Sequence, residues 1–133
     1  MSNQMDQAVQ SVIDLHVLIE NVFTGQNEKQ SLSELLISFD NDFKMVTVQG
    51  KCIGLPEVIS LFSQNIGKKP SLKITILKST ALFKSENYCW VQYQERQQTE
   101  EGQTLRTSTA CIKVESEKCS WVYLHETLVP FTQ

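Results

Sequence analysis

The stretch that decides the fold is residues 72–129, LKITILKSTALFKSENYCWVQYQERQQTEEGQTLRTSTACIKVESEKCSWVYLHETLV. β-Branched and aromatic residues recur there with period two, in four segments: Leu72 to Lys84, Asn87 to Gln98, Gln103 to Val114 and Cys119 to Val129. Alternation of this kind marks strands with one buried face. The segments are separated by short polar connections, so they form an antiparallel meander of four long strands.

Before this stretch the periodicity is helical. From Gln4 to Phe23 the apolar positions Val9, Val12, Ile13, Ile19 and Phe23 recur at spacings of three and four, and Gly25 supplies the stop. Ser31 and Glu34 have capping-box spacing ahead of Leu35, Leu36 and Ile37, which predicts a short second helix starting at Ser31. Lys44 to Val48 and Lys51 to Ile53 flank Gln49-Gly50, where glycine can take a positive φ, and predict a small hairpin. Pro56 opens a third helix whose stripe is Val58, Ile59, Phe62 and Ile66, with Gly67 placed to end it. Helices first and strands afterwards describe an α+β domain whose helices cover one face of a curved antiparallel sheet. The 133 residues, 41% of them hydrophobic, are enough for one ordinary core, and 1–133 reads as a single domain.

The order helix, short helix, hairpin, helix, four long strands resembles the nuclear-transport-factor-2-like superfamily, with its ketosteroid isomerases, scytalone dehydratases and SnoaL-like polyketide cyclases. Local text carries the likeness. NDFKMVTVQGKCIG is similar to the family's Asp-Phe turn into its first hairpin, YQER and RTSTA to the paired central strands, and WVYLHET to the closing strand. The resemblance implies a cone-shaped, cystatin-like α+β roll, often paired through its sheet, and says little about chemistry because this fold hosts enzymes, binders and assembly modules.

Strand registers follow from the connections. With Gln98 opposite Gln103, Glu95 falls opposite Arg106 and Tyr93 opposite Ser108. With Val114 opposite Cys119 and no interruption, His125 falls opposite Ser108 and Thr127 opposite Arg106. One face then carries Tyr93, Ser108 and His125 beside Glu95, Arg106 and Thr127, next to an apolar half that includes Trp121 and Tyr123. A one-residue slip would undo the pattern. His125 would move a proton and Tyr93 would donate to a carbonyl or enolate oxygen, while Arg106, oriented by Glu95, would hold a carboxylate. Each residue has a plainer reading as an ordinary cross-strand contact. His16, on the stripe of the first helix, is either a second site residue or a satisfied core histidine. Glu126 alternates to the opposite face and reads as structural. That opposite face, bearing Trp90, Leu105, Thr107, Thr109, Val122 and Leu124, needs cover and predicts a homodimer.

The absences narrow the field. The net charge of −3 with scattered Lys and Arg argues against nucleic acid. No stretch of the sequence approaches a membrane span, and the N-terminus lacks a leader pattern. Four cysteines without a CxxC pair suit reduced thiols in a cytoplasm. No Gly-rich phosphate cradle, GxSxG elbow or zinc spacing occurs, so no metal or dinucleotide cofactor is expected. Three readings stay open: a domain binding an apolar or carboxylate-bearing small molecule in the cone, a cofactor-independent lyase or isomerase moving a proton next to a carbonyl, and a non-catalytic assembly module.

Overall fold

The first helix, α1 (Gln4–Thr24), lies across the inner face of the sheet in the computed structural model, which describes residues 3–130. Asn3 caps it by accepting the Asp6 amide hydrogen through Oδ1, and Gly25 ends it at φ 81°, a conformation in which a Cβ would be strained. Its buried stripe is Ala8, Val12, Leu15, His16 and Val22. Polar side chains fix the helix to the sheet at both ends. Near the start Gln4 Nε2 donates to Val114 O at 2.9 Å, and near the end Glu20 Oε1 accepts from the Ile74 amide at 2.6 Å.

The second helix, α2 (Glu28–Ile37), begins three residues earlier than the capping-box spacing predicts. Ser31 is buried inside it rather than capping it, and its Oγ accepts from Asn21 Nδ2 of α1 at 3.2 Å. Helix–helix packing has outweighed the local cap signal. Strands β1 (Phe39–Val46) and β2 (Cys52–Gly54) form the expected hairpin, and α3 (Leu55–Ser63) follows directly. The segment after α3 docks on the end of α1: the Gly67 amide donates to Val22 O and the Lys69 amide to Phe23 O, both at 2.9 Å.

Four long strands complete the chain: β3 (Lys73–Ser85), β4 (Tyr88–Thr99), β5 (Gly102–Glu115) and β6 (Lys118–Val129). With β1 and β2 they make one six-stranded sheet in the order β2-β1-β6-β5-β4-β3. Every pairing is antiparallel except β1 with β6. Two register shifts in β3 against β4 add curvature. The inner face holds the core, where Phe43, Val91, Ala110, Ile112 and Trp121 pack under α1.

The β4–β5 register is the expected one, with Tyr93 opposite Ser108 and Glu95 opposite Arg106. The β5–β6 register starts as expected at Val114 and Cys119 and then changes. Ile112 pairs with Trp121 but Cys111 pairs with Tyr123, so Val122 is an extra residue, a bulge. Every later side chain of β6 therefore faces opposite to the uninterrupted register. Leu124 and Glu126 turn inward against Ala110 and Ser108, while Tyr123, His125 and Thr127 turn outward beside Cys111, Thr109 and Thr107. The outer-face position expected for Leu124 and the inner positions expected for Tyr123, His125 and Thr127 are thus corrected by one bulge.

Candidate functional site

Two charged pairs form where α1 crosses the inner face. His16 is 5% exposed and Glu95 2%. His16 Nδ1 lies 2.7 Å from Val12 O, and because a carbonyl only accepts, Nδ1 carries a hydrogen. Nε2 then stands 3.1 Å from Glu95 Oε1, so the two side chains form a buried ion pair. Burial disfavours the imidazolium, yet the Glu95 carboxylate outweighs it and raises the His16 pKa. For Glu95, burial pushes upward, and His16, Arg106 and Gln97 together hold the carboxyl below its ordinary value. Gln97 Nε2 contributes by donating to Glu95 Oε2 at 2.6 Å.

The second pair is Arg106 Nη1 donating to Glu126 Oε1 at 3.2 Å, with side-chain exposures of 17% and 11%. Burial raises the Glu126 pKa; Arg106 opposes the rise and the nearby Glu95 charge adds to it. Deeper on the same face, Tyr93 meets the His16 ring edge-on at 5.3 Å, and Trp121 does so at 6.3 Å. Burial, reinforced by the charges of Glu95 and Glu126, lifts the Tyr93 phenol well above its ordinary range, so it is a donor and not a phenolate. The atoms shut from water without a hydrogen-bond partner include Tyr93 Oη, Ser108 Oγ and Arg106 Nε.

A cleft of about 300 Å³ opens onto these pairs. His16, Glu95, Gln97, Arg106 and Glu126 line one part of it. Its apolar walls come from Ile19 and Phe23 of α1, Met45 of β1, Phe62 of α3 and Leu124 of β6. A second groove of about 530 Å³ runs along the N-terminal half of α1 past Asp6, Asp14 and Glu117, away from both charged pairs. Among the described residues no group of three or more His, Cys, Asp or Glu side chains is arranged to hold a metal ion, and no helix is long and apolar enough to cross a membrane.

The structure brings together five of the residues singled out in the sequence: His16, Tyr93, Glu95, Arg106 and Ser108, with Trp121 beside them. His125 and Tyr123 stand on the other face; His125 is exposed and Tyr123 packs on Trp90 with ring centres 6.2 Å apart. The expected Glu95–Arg106 ion pair is replaced by two pairs with different partners. Glu126, read from the sequence as structural and outward, lines the cleft, so Glu95 is not the only carboxylate there. No signal in the sequence betrays this, because only the bulge at Val122 turns Glu126 inward.

Neither a protein-family model nor a curated protein matches the chain. Solved structures do. An NTF-2-like protein of unknown function from Pseudomonas aeruginosa is 26% identical with a TM-score of 0.89, the match covering 93% of this chain and 99% of that one. A protein with a cystatin-like fold from Caulobacter vibrioides is 16% identical with a TM-score of 0.69 over 96% and 92% of the two chains. The association domain of C. elegans CaMKII is 13% identical with a TM-score of 0.65 over 89% and 93%. The chain has the NTF2-like, cystatin-like α+β fold that its sequence resembles.

Proposed function

We propose that this NTF2-like protein binds a small molecule in the cleft between α1, α3 and the inner face of the sheet. The observation that carries the reading is the convergence of Glu95, Arg106 and Glu126 on a cleft that is otherwise largely apolar, with Arg106 Nε buried and without a hydrogen-bond partner. Burying a polar atom unpaired costs on the order of 1–3 kcal/mol, a cost that a bound polar head removes. Apolar walls with a few convergent polar groups are the usual make-up of a small-molecule site, and about 300 Å³ lies at the small end of the range. Ligand-observed NMR screening of fragments with an apolar body and one polar head tests the reading. Hits should lose binding in Met45→Trp, where the indole fills the cleft. Hits that bind this variant unchanged, or an absence of hits, would contradict it.

A proton-transfer role is the alternative, and Glu126 favours it: a carboxyl whose pKa is raised by burial beside Arg106 is suited to give and take a proton. Such a lyase or isomerase would work through Glu126 and the His16–Glu95 pair, with Tyr93 as donor, rather than through His125.

For partners, we propose a homodimer through the outer face. Phe83 is 57% exposed and stacks on Trp90 at 5.9 Å, Leu82 is 44% exposed, and Tyr123 continues the aromatic row. Exposed apolar surface of this kind is covered favourably by a second copy. A pure assembly role would rest on this surface alone and leave the cleft without a ligand.

A further inference from the structure

The cleft runs along α1, and its two ends differ in charge. His16, which pairs with Glu95, marks one end, where Arg106 pairs with Glu126. Phe23, the last α1 residue to line the cleft, lies two turns further on, about 10 Å along the helix axis. Lys69 stands at that end, with Nζ 5.2 Å over the Phe23 ring.

The backbone that carries Lys69 is fixed. Its amide donates to Phe23 O at 2.9 Å and its carbonyl accepts from the Leu72 amide at 3.1 Å, so the side chain departs from a segment docked on the end of α1. The basic side chains lining the cleft are His16, Lys69 and Arg106. His16 and Arg106 each face a carboxylate, at 3.1 and 3.2 Å, whereas among the described residues no carboxylate pairs with Lys69. Lys69 is exposed, so water supports its charge in the free protein while the ring holds the ammonium over a wall of the cleft. Between the two ends the walls are apolar, with Ile19, Met45, Val58 and Phe62. A ligand that extends from the Arg106–Glu126 pair along these walls therefore brings its far end to an ammonium without a counter-charge.

We propose that Lys69 is a second anchor of the cleft, and that the ligand is an apolar chain with a neutral polar group at one end and an anionic group, such as a carboxylate, at the other. The neutral end lies beside Arg106 and Glu126, and the anion meets Lys69 at the rim. A carboxylate at the Arg106 end would instead bring a third negative group beside Glu95 and Glu126, where the cations are already paired and uncompensated buried charge is costly. The assignment rests on the cleft being a small-molecule site, and it moves to Lys69 the carboxylate-holding role that the sequence suggests for Arg106.

The test uses the full chain and three probes of matched length, 8-hydroxyoctanoate, 8-hydroxyoctanamide and 8-amino-1-octanol, titrated at pH 7.5 and followed by amide chemical shifts. An ion pair at an exposed rim changes affinity only a few-fold, so 8-hydroxyoctanoate should bind about threefold more tightly than the neutral amide, and the cationic amino alcohol more weakly than either. The preference should shrink as salt is raised. Lys69→Gln should bind the carboxylate and the amide equally, and Lys69→Glu should favour the amino alcohol. Equal binding of carboxylate and amide by the wild-type protein, with shifts around Met45 and Leu124, would overturn the anchor while leaving the cleft reading standing. A preference for the carboxylate that survives in Lys69→Gln would place the anion elsewhere and overturn the anchor as well. If none of the three probes shifts resonances around the cleft, both the anchor and the cleft reading fail.

Discussion

His16 Nε2 lies 3.1 Å from Glu95 Oε1, joining the middle of α1 to the middle of the sheet through two side chains that are both almost wholly buried. Helix and sheet could be held together by apolar packing alone, and a buried ion pair is weak grounds for stability as such. Its effect shows when one partner is removed.

Glu95→Leu should therefore destabilise the protein by about 3 kcal/mol, because the imidazole is left buried without its counter-charge. The double variant His16→Leu/Glu95→Leu should recover part of that loss, since leucine pairs need no counter-charge. Urea denaturation of the two single variants and the double variant measures the coupling. Losses that simply add would show that the pair does not act as a unit.

The same pair gives stability a pH dependence with a definite sign. The folded-state pKa of His16 is raised from 6.5, so its contribution is complete below 6.5 and is lost as pH rises through the higher folded value. Glu95 behaves oppositely: its folded pKa is lowered from 4.5, so its contribution is present above 4.5 and disappears as pH falls through the lower folded value. The raised Glu126 works against folding at neutral pH, and that cost is relieved as pH falls through its folded pKa towards 4.5. With His125→Gln in the background, His16 is the one remaining histidine, and its ring resonances should titrate above pH 6.5. A titration midpoint below 6.5 would show that burial, not Glu95, controls the ring.

How far the sequence foretells this site depends on which element is asked. The β4–β5 register is legible because Thr99 pairs with Gly102 and nothing interrupts the ladder beyond it, so Tyr93, Ser108, Glu95 and Arg106 fall where alternation puts them. His16 is legible as a stripe residue of α1, one turn after Val12. The bulge at Val122 is not, since WVYL alternates no differently from an unbulged strand; that one residue exchanges His125 for Glu126 on the inner face and gives Arg106 its partner. The start of α2 is lost for another reason: Ser31 satisfies the local cap pattern but is held inside the helix by Asn21.

The β5–β6 turn stores strain that substitution can release. Ser116 and Glu117 both have positive φ, 48° and 67°, as a type I′ turn requires, without the Asn-Gly pair that adopts it cheaply. Ser116→Asn/Glu117→Gly should stabilise the protein by about 1 kcal/mol, read from the denaturation midpoint. A loss of stability would mean that the turn side chains contribute more than their backbone strain costs.

On the outer face, Phe83→Glu should turn a dimer into a monomer in sedimentation equilibrium without changing the far-ultraviolet circular dichroism, because Phe83 is 57% exposed and stacks on Trp90 at the sheet surface. A wild-type protein that sediments as a monomer would remove the proposed interface.

The central claim, that the cleft holds a small molecule, is tested most directly by crystal structures of the protein with the fragments that bind it in solution. The account predicts density in the cleft with the fragment's polar head beside the Arg106–Glu126 pair and its apolar body against Met45 and Leu124. Fragments bound elsewhere, with the cleft closed and empty, would contradict it.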